Sequence, residues 1–169
     1  GWIRSAKGHD IDPSSLTYRG DDTLQDFSRG KSNQTAVFLD SNGKAYSLPS
    51  HSLPSARGMG DPISGRVSAD SGVKFISSLI GNDDDKYMIM NSAGFGYISE
   101  FKNMVSNKKS GRAFMKIPHD ADLLRAIKVR EDHVYIAAVS NIGRLLLFKI
   151  DELPLSLIHI SEPTRRYSI

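Results

Sequence analysis

The strongest constraint on the fold is a unit that occurs three times: an apolar strand, a short polar turn ending in glycine, and a second strand. Thr35-Ala36-Val37-Phe38-Leu39 leads through Asp40-Ser41-Asn42-Gly43 into Lys44-Ala45-Tyr46-Ser47-Leu48. Tyr87 to Met90 leads through Asn91-Ser92-Ala93-Gly94 into Phe95 to Ile98, and Val134 to Val139 leads through Ser140-Asn141-Ile142-Gly143 into Arg144 to Ile150. The glycines stand 51 and 49 residues apart, and a period near fifty belongs to stacked or radial repeats. Glycine accepts the positive φ that a tight turn between twisted strands requires, and Asn42-Gly43 is the most favourable pair for it. The first arms are nearly continuous apolar runs, which predicts strands covered on both faces. Shorter strands are expected over Val73 to Ile80, Arg112 to Ile117 and Leu124 to Arg130, bringing each repeat to about four strands, the content of a propeller-like blade.

The expected fold is therefore all-β, made of propeller-like blades of about four antiparallel strands. A first blade is expected over 1–68, and a second with the start of its neighbour over 69–154. Such a set is an incomplete fragment, because repeat units bury their shared faces against one another, and two blades are expected to be marginal alone. A β-sandwich of about nine strands is the competing architecture. Residues 155–169, from Leu155-Ser156-Leu157-Ile158-His159 onward, read as the translation of a sequencing-library adapter. They are set aside as non-native, the alternative being a genuine amphipathic terminal strand.

Composition excludes several function classes. With 39% apolar and 24% charged residues, the chain sits in the range of folded domains. The absence of cysteine removes disulfides, zinc-thiolate sites and cysteine nucleophiles, and agrees with a reducing compartment. The chain holds no apolar run long enough to span a bilayer and opens without a charged leader, so the expected location is cytoplasmic. His9, His51, His119, His133 and His159 lack metal-ligand spacing, and Asp83, Asp84 and Asp85 are adjacent rather than alternating, so no metal is expected. There is no nucleotide-binding phosphate loop and no other cofactor motif. The net charge of +3, from 22 basic and 19 acidic residues, is mild. Holding a polyanion would thus depend on cations gathered along one rim.

Phosphate recognition needs cations or backbone N–H groups in loops that can approach closely, which glycine permits. Three segments qualify. Arg4, Lys7 and Gly8 form a basic glycine loop. Arg57 and Arg66 bracket Gly58, Gly60, Pro62 and Gly65. Lys102, Lys108, Lys109 and Arg112 form the densest basic run, with no acid between them. Each has a plainer reading beside it: a solvated hairpin tip, a crossover between blades, and a loop kept soluble by its charge.

Gly1 to Asp12, Gly30-Lys31-Ser32-Asn33-Gln34, Leu53 to Gly65, Ser110-Gly111-Arg112-Ala113 and Asp151 to Pro154 resemble, in that order, the C-terminal domain of the A subunit of bacterial topoisomerase IV. The resemblance covers essentially the whole chain except the tail. The related C-terminal domain of the gyrase A subunit is a β-pinwheel that wraps DNA on its basic outer edge through a box reading Gln-Arg-Arg-Gly-Gly-Lys-Gly. The corresponding loop here reads Ile3-Arg4-Ser5-Ala6-Lys7-Gly8-His9. Arg4, Lys7 and Gly8 match, while one arginine and the paired glycines do not. This departure favours topoisomerase IV over gyrase and speaks against strong chiral wrapping.

The resemblance implies a β-pinwheel without catalysis of its own, since the family's cleavage tyrosine belongs to an upstream domain. It implies binding and bending of duplex DNA by sequence-independent phosphate contacts, in support of chromosome decatenation and supercoil relaxation at the nucleoid. The residues it puts forward are Arg4, Lys7, Gly8, Lys31, Arg57, Arg66, Lys102, Lys108, Lys109 and Arg112. The implied partners are duplex DNA, the rest of the topoisomerase IV A subunit, through it the ATP-hydrolysing B subunit, with no membrane. A propeller-like protein-interaction scaffold is the alternative function.

Overall fold

The computed structural model describes residues 1–8 and 10–155. His9 and residues 156–169 lie outside the described residues, and with them nearly all of the adapter-like tail. In chain order the strands are β1 (Trp2–Ile3), β2 (Thr35–Asp40), β3 (Lys44–Pro49), β4 (Asp61–Pro62), β5 (Phe75–Ile80), β6 (Lys86–Met90), β7 (Gly96–Glu100), β8 (Arg112–Ala113), β9 (Ile127–Val129), β10 (Tyr135–Val139) and β11 (Leu145–Lys149). Among the described residues there is no α-helix, only single turns of 3-10 helix. The hairpins lie where the repeat places them, and the three shorter strands are present but trimmed by two to four residues.

The three hairpin turns are built alike, and the reason lies in the residue that opens each. Asp40 Oδ1 accepts the N–H groups of Asn42 and Lys44, both at 2.9 Å. Asn91 Oδ1 accepts those of Ala93 and Phe95 at 3.1 and 3.2 Å, and Ser140 Oγ accepts that of Arg144 at 3.0 Å. A short polar side chain thus supplies the acceptor that the turn backbone lacks. Gly43, Gly94 and Gly143 follow with φ of 79°, 83° and 77°, a region that L residues seldom enter. A single 3-10 turn comes after each hairpin, at Ser50–Ser52, Phe101–Asn103 and Ile150–Glu152.

The chain divides into two compact units that interleave in sequence: Gly1–Asn82 with Met104–Lys116, and Asp83–Asn103 with the chain from Ile117. In the first unit an antiparallel sheet runs in the order β5-β2-β3-β8, and β1 pairs with β4 beside it. This sheet draws strands from both sides of residue 68, where the first blade was expected to end. β2 is central, so its residues from Ala36 to Asp40 are all buried. Ile3, Ala36, Phe38, Tyr46, Ile63 and Val67 form the core, with Leu48, Leu53, Ala69 and Phe75 packed against it.

In the second unit the order is β7-β6-β9, and β10-β11 forms a separate hairpin. Met88, Ile98, Ile136 and Leu153 make its core. Here one expectation is corrected. The run from Val134 to Val139 is not covered on both faces: β10 alternates, with Ile136 buried and Tyr135 and Val139 at 57% and 71% exposure. The difference accompanies the topology: β2 and β6 each lie between two strands, whereas β10 pairs with β11 alone among the described residues.

Candidate nucleic-acid interface

The basic loop over 106–112 is held to the first unit by its backbone. Ser106 N–H donates to Ser47 Oγ at 2.8 Å, and Ser68 N–H donates to Lys109 O at 2.7 Å. Within the loop, Lys108 N–H reaches Ser106 Oγ at 3.2 Å, and Gly111 N–H reaches Lys108 O at 3.0 Å. β8 then pairs Arg112 with Ala45. Gly111 has φ of 75°, and a Cβ built on it would lie 2.7 Å from the Tyr46 ring. Backbone conformation and the neighbouring ring both demand glycine at this point. Tyr46 is fully buried and donates its hydroxyl to Asp40 Oδ2 at 2.9 Å. Burial first, and then the bond to Asp40, push its pKa well above the usual tyrosine value. Lys108, Lys109 and Arg112, carried on this anchored backbone, are all exposed and make no ion pair among the described residues.

Arg4 and Arg66 are placed differently. Residues 3–5 run beside 54–56, through Ser5 N–H to Pro54 O at 2.7 Å and Ala56 N–H to Ser5 O at 2.8 Å. The Arg4 guanidinium donates to Thr17 O at 2.7 Å and Gly58 O at 3.5 Å while lying 4.8 Å over the Tyr18 ring. It ties two loops together. Arg66 bridges Asp61 Oδ2 at 2.6 Å and Ser52 O at 2.8 Å. Arg57, Lys7 and Gly8 are exposed on the same group of segments. Since Ser68 is bonded to Lys109, the Arg66 segment also abuts the basic loop. Lys31 is exposed in a turn closed by its N–H to Gln34 Oε1 at 2.7 Å.

Lys102 opens the basic run in the sequence. It belongs to the second unit, where its Nζ lies 2.7 Å from Glu100 and 3.8 Å from Asp84. The hydrogen bond to Glu100 holds that carboxyl below its ordinary pKa and the Lys102 ammonium above it. Glu100 stands just ahead of the acid-free run, and the β6-β7 hairpin brings the Asp84 end of the chain back to the same place. One cation went unnoticed in the sequence: Arg19 lies 5.2 Å over the ring of Trp2. Its signal was the single tryptophan beside basic residues, in a chain otherwise modest in aromatics.

No protein-family model matches the chain. The A subunit of DNA topoisomerase 4 from Pseudomonas aeruginosa is 43% identical over 155 residues, covering 91% of this chain and 21% of that protein. Its counterpart from Escherichia coli K12 is 36% identical over 154 residues, again 91% of this chain and 20% of its own. Among solved structures, the C-terminal domain of E. coli ParC superposes with a TM-score of 0.83 at 35% identity, covering 92% of this chain and 64% of that one. The chain belongs to the family of C-terminal domains of topoisomerase IV A subunits.

The chain spans about a fifth of the length of these curated topoisomerase IV relatives. The gyrase A C-terminal domain shares the fold, with a TM-score of 0.57 at 14% identity over 86% of this chain and 52% of that chain. The expected all-β, β-pinwheel class is thereby met. Within this topoisomerase IV domain, no group of three or more His, Cys, Asp or Glu among the described residues is arranged to hold a metal. No helix among the described residues is long and apolar enough to cross a membrane.

Proposed function

We propose that the chain is the DNA-binding, non-catalytic part of a type IIA topoisomerase, which binds and bends duplex DNA through sequence-independent phosphate contacts. In this reading it supports decatenation and supercoil relaxation at the nucleoid by a parent that hydrolyses ATP. Its partners besides DNA are the rest of the A subunit to which it belongs and, through that, the B subunit. The observation that carries it is the loop 106–112: three exposed cations with no ion pair among the described residues, on an anchored backbone, in a chain 43% identical to a topoisomerase IV relative. Such cations release condensed counterions when they meet phosphates, and so set affinity without reading bases. Lys7, Gly8, Lys31 and Arg57 extend the contact. Arg4 and Arg66 contribute chiefly by shaping the segments that carry the others, since their guanidinium groups are already bonded. Lys102 contributes least, being neutralised by Glu100.

The test is a fluorescence anisotropy titration of duplex DNA across a range of salt. Lys108→Glu/Lys109→Glu is expected to weaken binding equally for unrelated sequences and to make the log–log salt slope shallower by about two, roughly one for each phosphate no longer neutralised. Affinity that survives the double reversal would remove the proposal. The exposed apolar residues of β10 and β11 favour a second reading, a protein-interaction scaffold. It predicts binding to a protein partner that salt leaves unchanged.

A further inference from the structure

The basic loop is useful only if it is already in shape when DNA arrives, since ordering it at that moment would subtract from affinity. Several of the contacts that hold it need no side-chain hydrogen bond: Ser68 N–H to Lys109 O, Gly111 N–H to Lys108 O, the pairing of Arg112 with Ala45, and the close approach of Gly111 to the core residue Tyr46. Another is made by a single side chain, Ser47 on β3, half-buried at the edge of the sheet. Its Oγ receives the N–H of Ser106, whose own hydroxyl turns back onto Lys108. Ser106 is itself buried, so this N–H would have no water to turn to if Ser47 were removed.

We propose that Ser47 is a positioning residue for DNA contact. By accepting the Ser106 N–H it latches 106–112 into the one backbone shape that holds out Lys108, Lys109 and Arg112 together. The latch itself stands on the hydrogen-bond geometry. Its purpose rests on the DNA-binding reading above.

Trypsin cuts after lysine and arginine, so cleavage at Lys108 and Lys109 reports the opening of this loop without any DNA present. The full chain is digested as wild type, Ser47→Ala and Ser47→Thr, with cleavage at Lys7 and Arg57 in the same digest as the internal control. Each protein is also titrated with duplex DNA. Ser47→Ala is expected to be cut at Lys108 or Lys109 roughly three- to ten-fold faster, the span for losing one hydrogen bond, with the control sites unchanged. Ser47→Thr keeps the acceptor oxygen and should be cut at the wild-type rate. DNA affinity of Ser47→Ala should fall by a comparable factor with the salt slope unchanged, because every cation is still present.

Unchanged cutting of the Ser47→Ala loop overturns the latch, whatever the DNA titration shows. Acceleration at Lys7 and Arg57 to the same degree also overturns it, by showing a general loss of stability. Faster loop cutting with DNA affinity intact overturns the positioning role. If Lys108→Glu/Lys109→Glu has no effect on DNA binding, it is the DNA reading that fails, and the protease result still decides the latch.

Discussion

Tyr46 shows how much one buried residue settles in this domain. Its ring is the wall against which Gly111 packs, and its hydroxyl satisfies an Asp40 oxygen that has no access to water. Tyr46→Phe leaves that carboxylate oxygen unpartnered and is expected to cost about 1–3 kcal/mol, read as a lower midpoint in urea. The raised pKa of Tyr46 adds a pH dependence. Tyrosines in the unfolded chain ionise near pH 10, while the folded chain keeps the Tyr46 proton. The native state therefore binds more protons above that pH, and stability falls as pH rises through it, by up to about 1.4 kcal/mol per pH unit for that group. Below pH 10 both states hold the proton and there is no slope from this source. In Tyr46→Phe the alkaline decline should be shallower, as urea midpoints across pH 9 to 11 would show. The strand position of Tyr46 was legible from its apolar neighbours. Its bond to Asp40 was not, because Asp40 reads first as a turn residue and in fact serves both ends.

At the scale of the element, the three hairpins share a turn but differ in their burial. Asn91 is almost fully buried and its Oδ1 receives two backbone N–H groups. Asn91→Ala is expected to cost roughly 1–3 kcal/mol, the penalty for buried donors left unmade. Ser140→Ala, in the exposed third turn, should cost less than about 1 kcal/mol because water replaces the missing acceptor. Urea melts of the two variants compare them directly. The third hairpin also carries Val139, Leu145 and Leu147 at 71%, 66% and 60% exposure on one face, with no second neighbour for β10 among the described residues. Uncovered strands of this kind promote association. Leu145→Lys/Leu147→Lys should raise the concentration at which light scattering begins and leave the melting temperature nearly unchanged. The apolar runs were read as covered strands because a run of hydrophobic residues looks the same whether or not a neighbour arrives to cover it. That neighbour is a property of topology.

Over the whole molecule the decisive feature is the interleaving of the units. Met104–Lys116 follows the second hairpin in sequence, yet it belongs to the first unit and supplies β8 and the basic loop. A chain ended after Asn82 lacks both and leaves the edge of β3 open. It should melt lower and aggregate more readily than a chain continued to Lys116, as differential scanning fluorimetry with light scattering would show. The same division assigns Lys102 to the second unit and Lys108 and Lys109 to the first.

The all-β class, the period near fifty, the three hairpin turns and the exposed basic loop were determined by the sequence itself, since each rests on local backbone preference or on charge that has no reason to be buried. Which cations stay unpaired was decided only by the tertiary structure. Glu100 and Asp84 lie beside Lys102, Asp61 beside Arg66, and the Thr17 and Gly58 carbonyls beside Arg4, through contacts that form once strands and loops pack. Electrostatic pairing depends on distance in space, which the order of residues along the chain does not give.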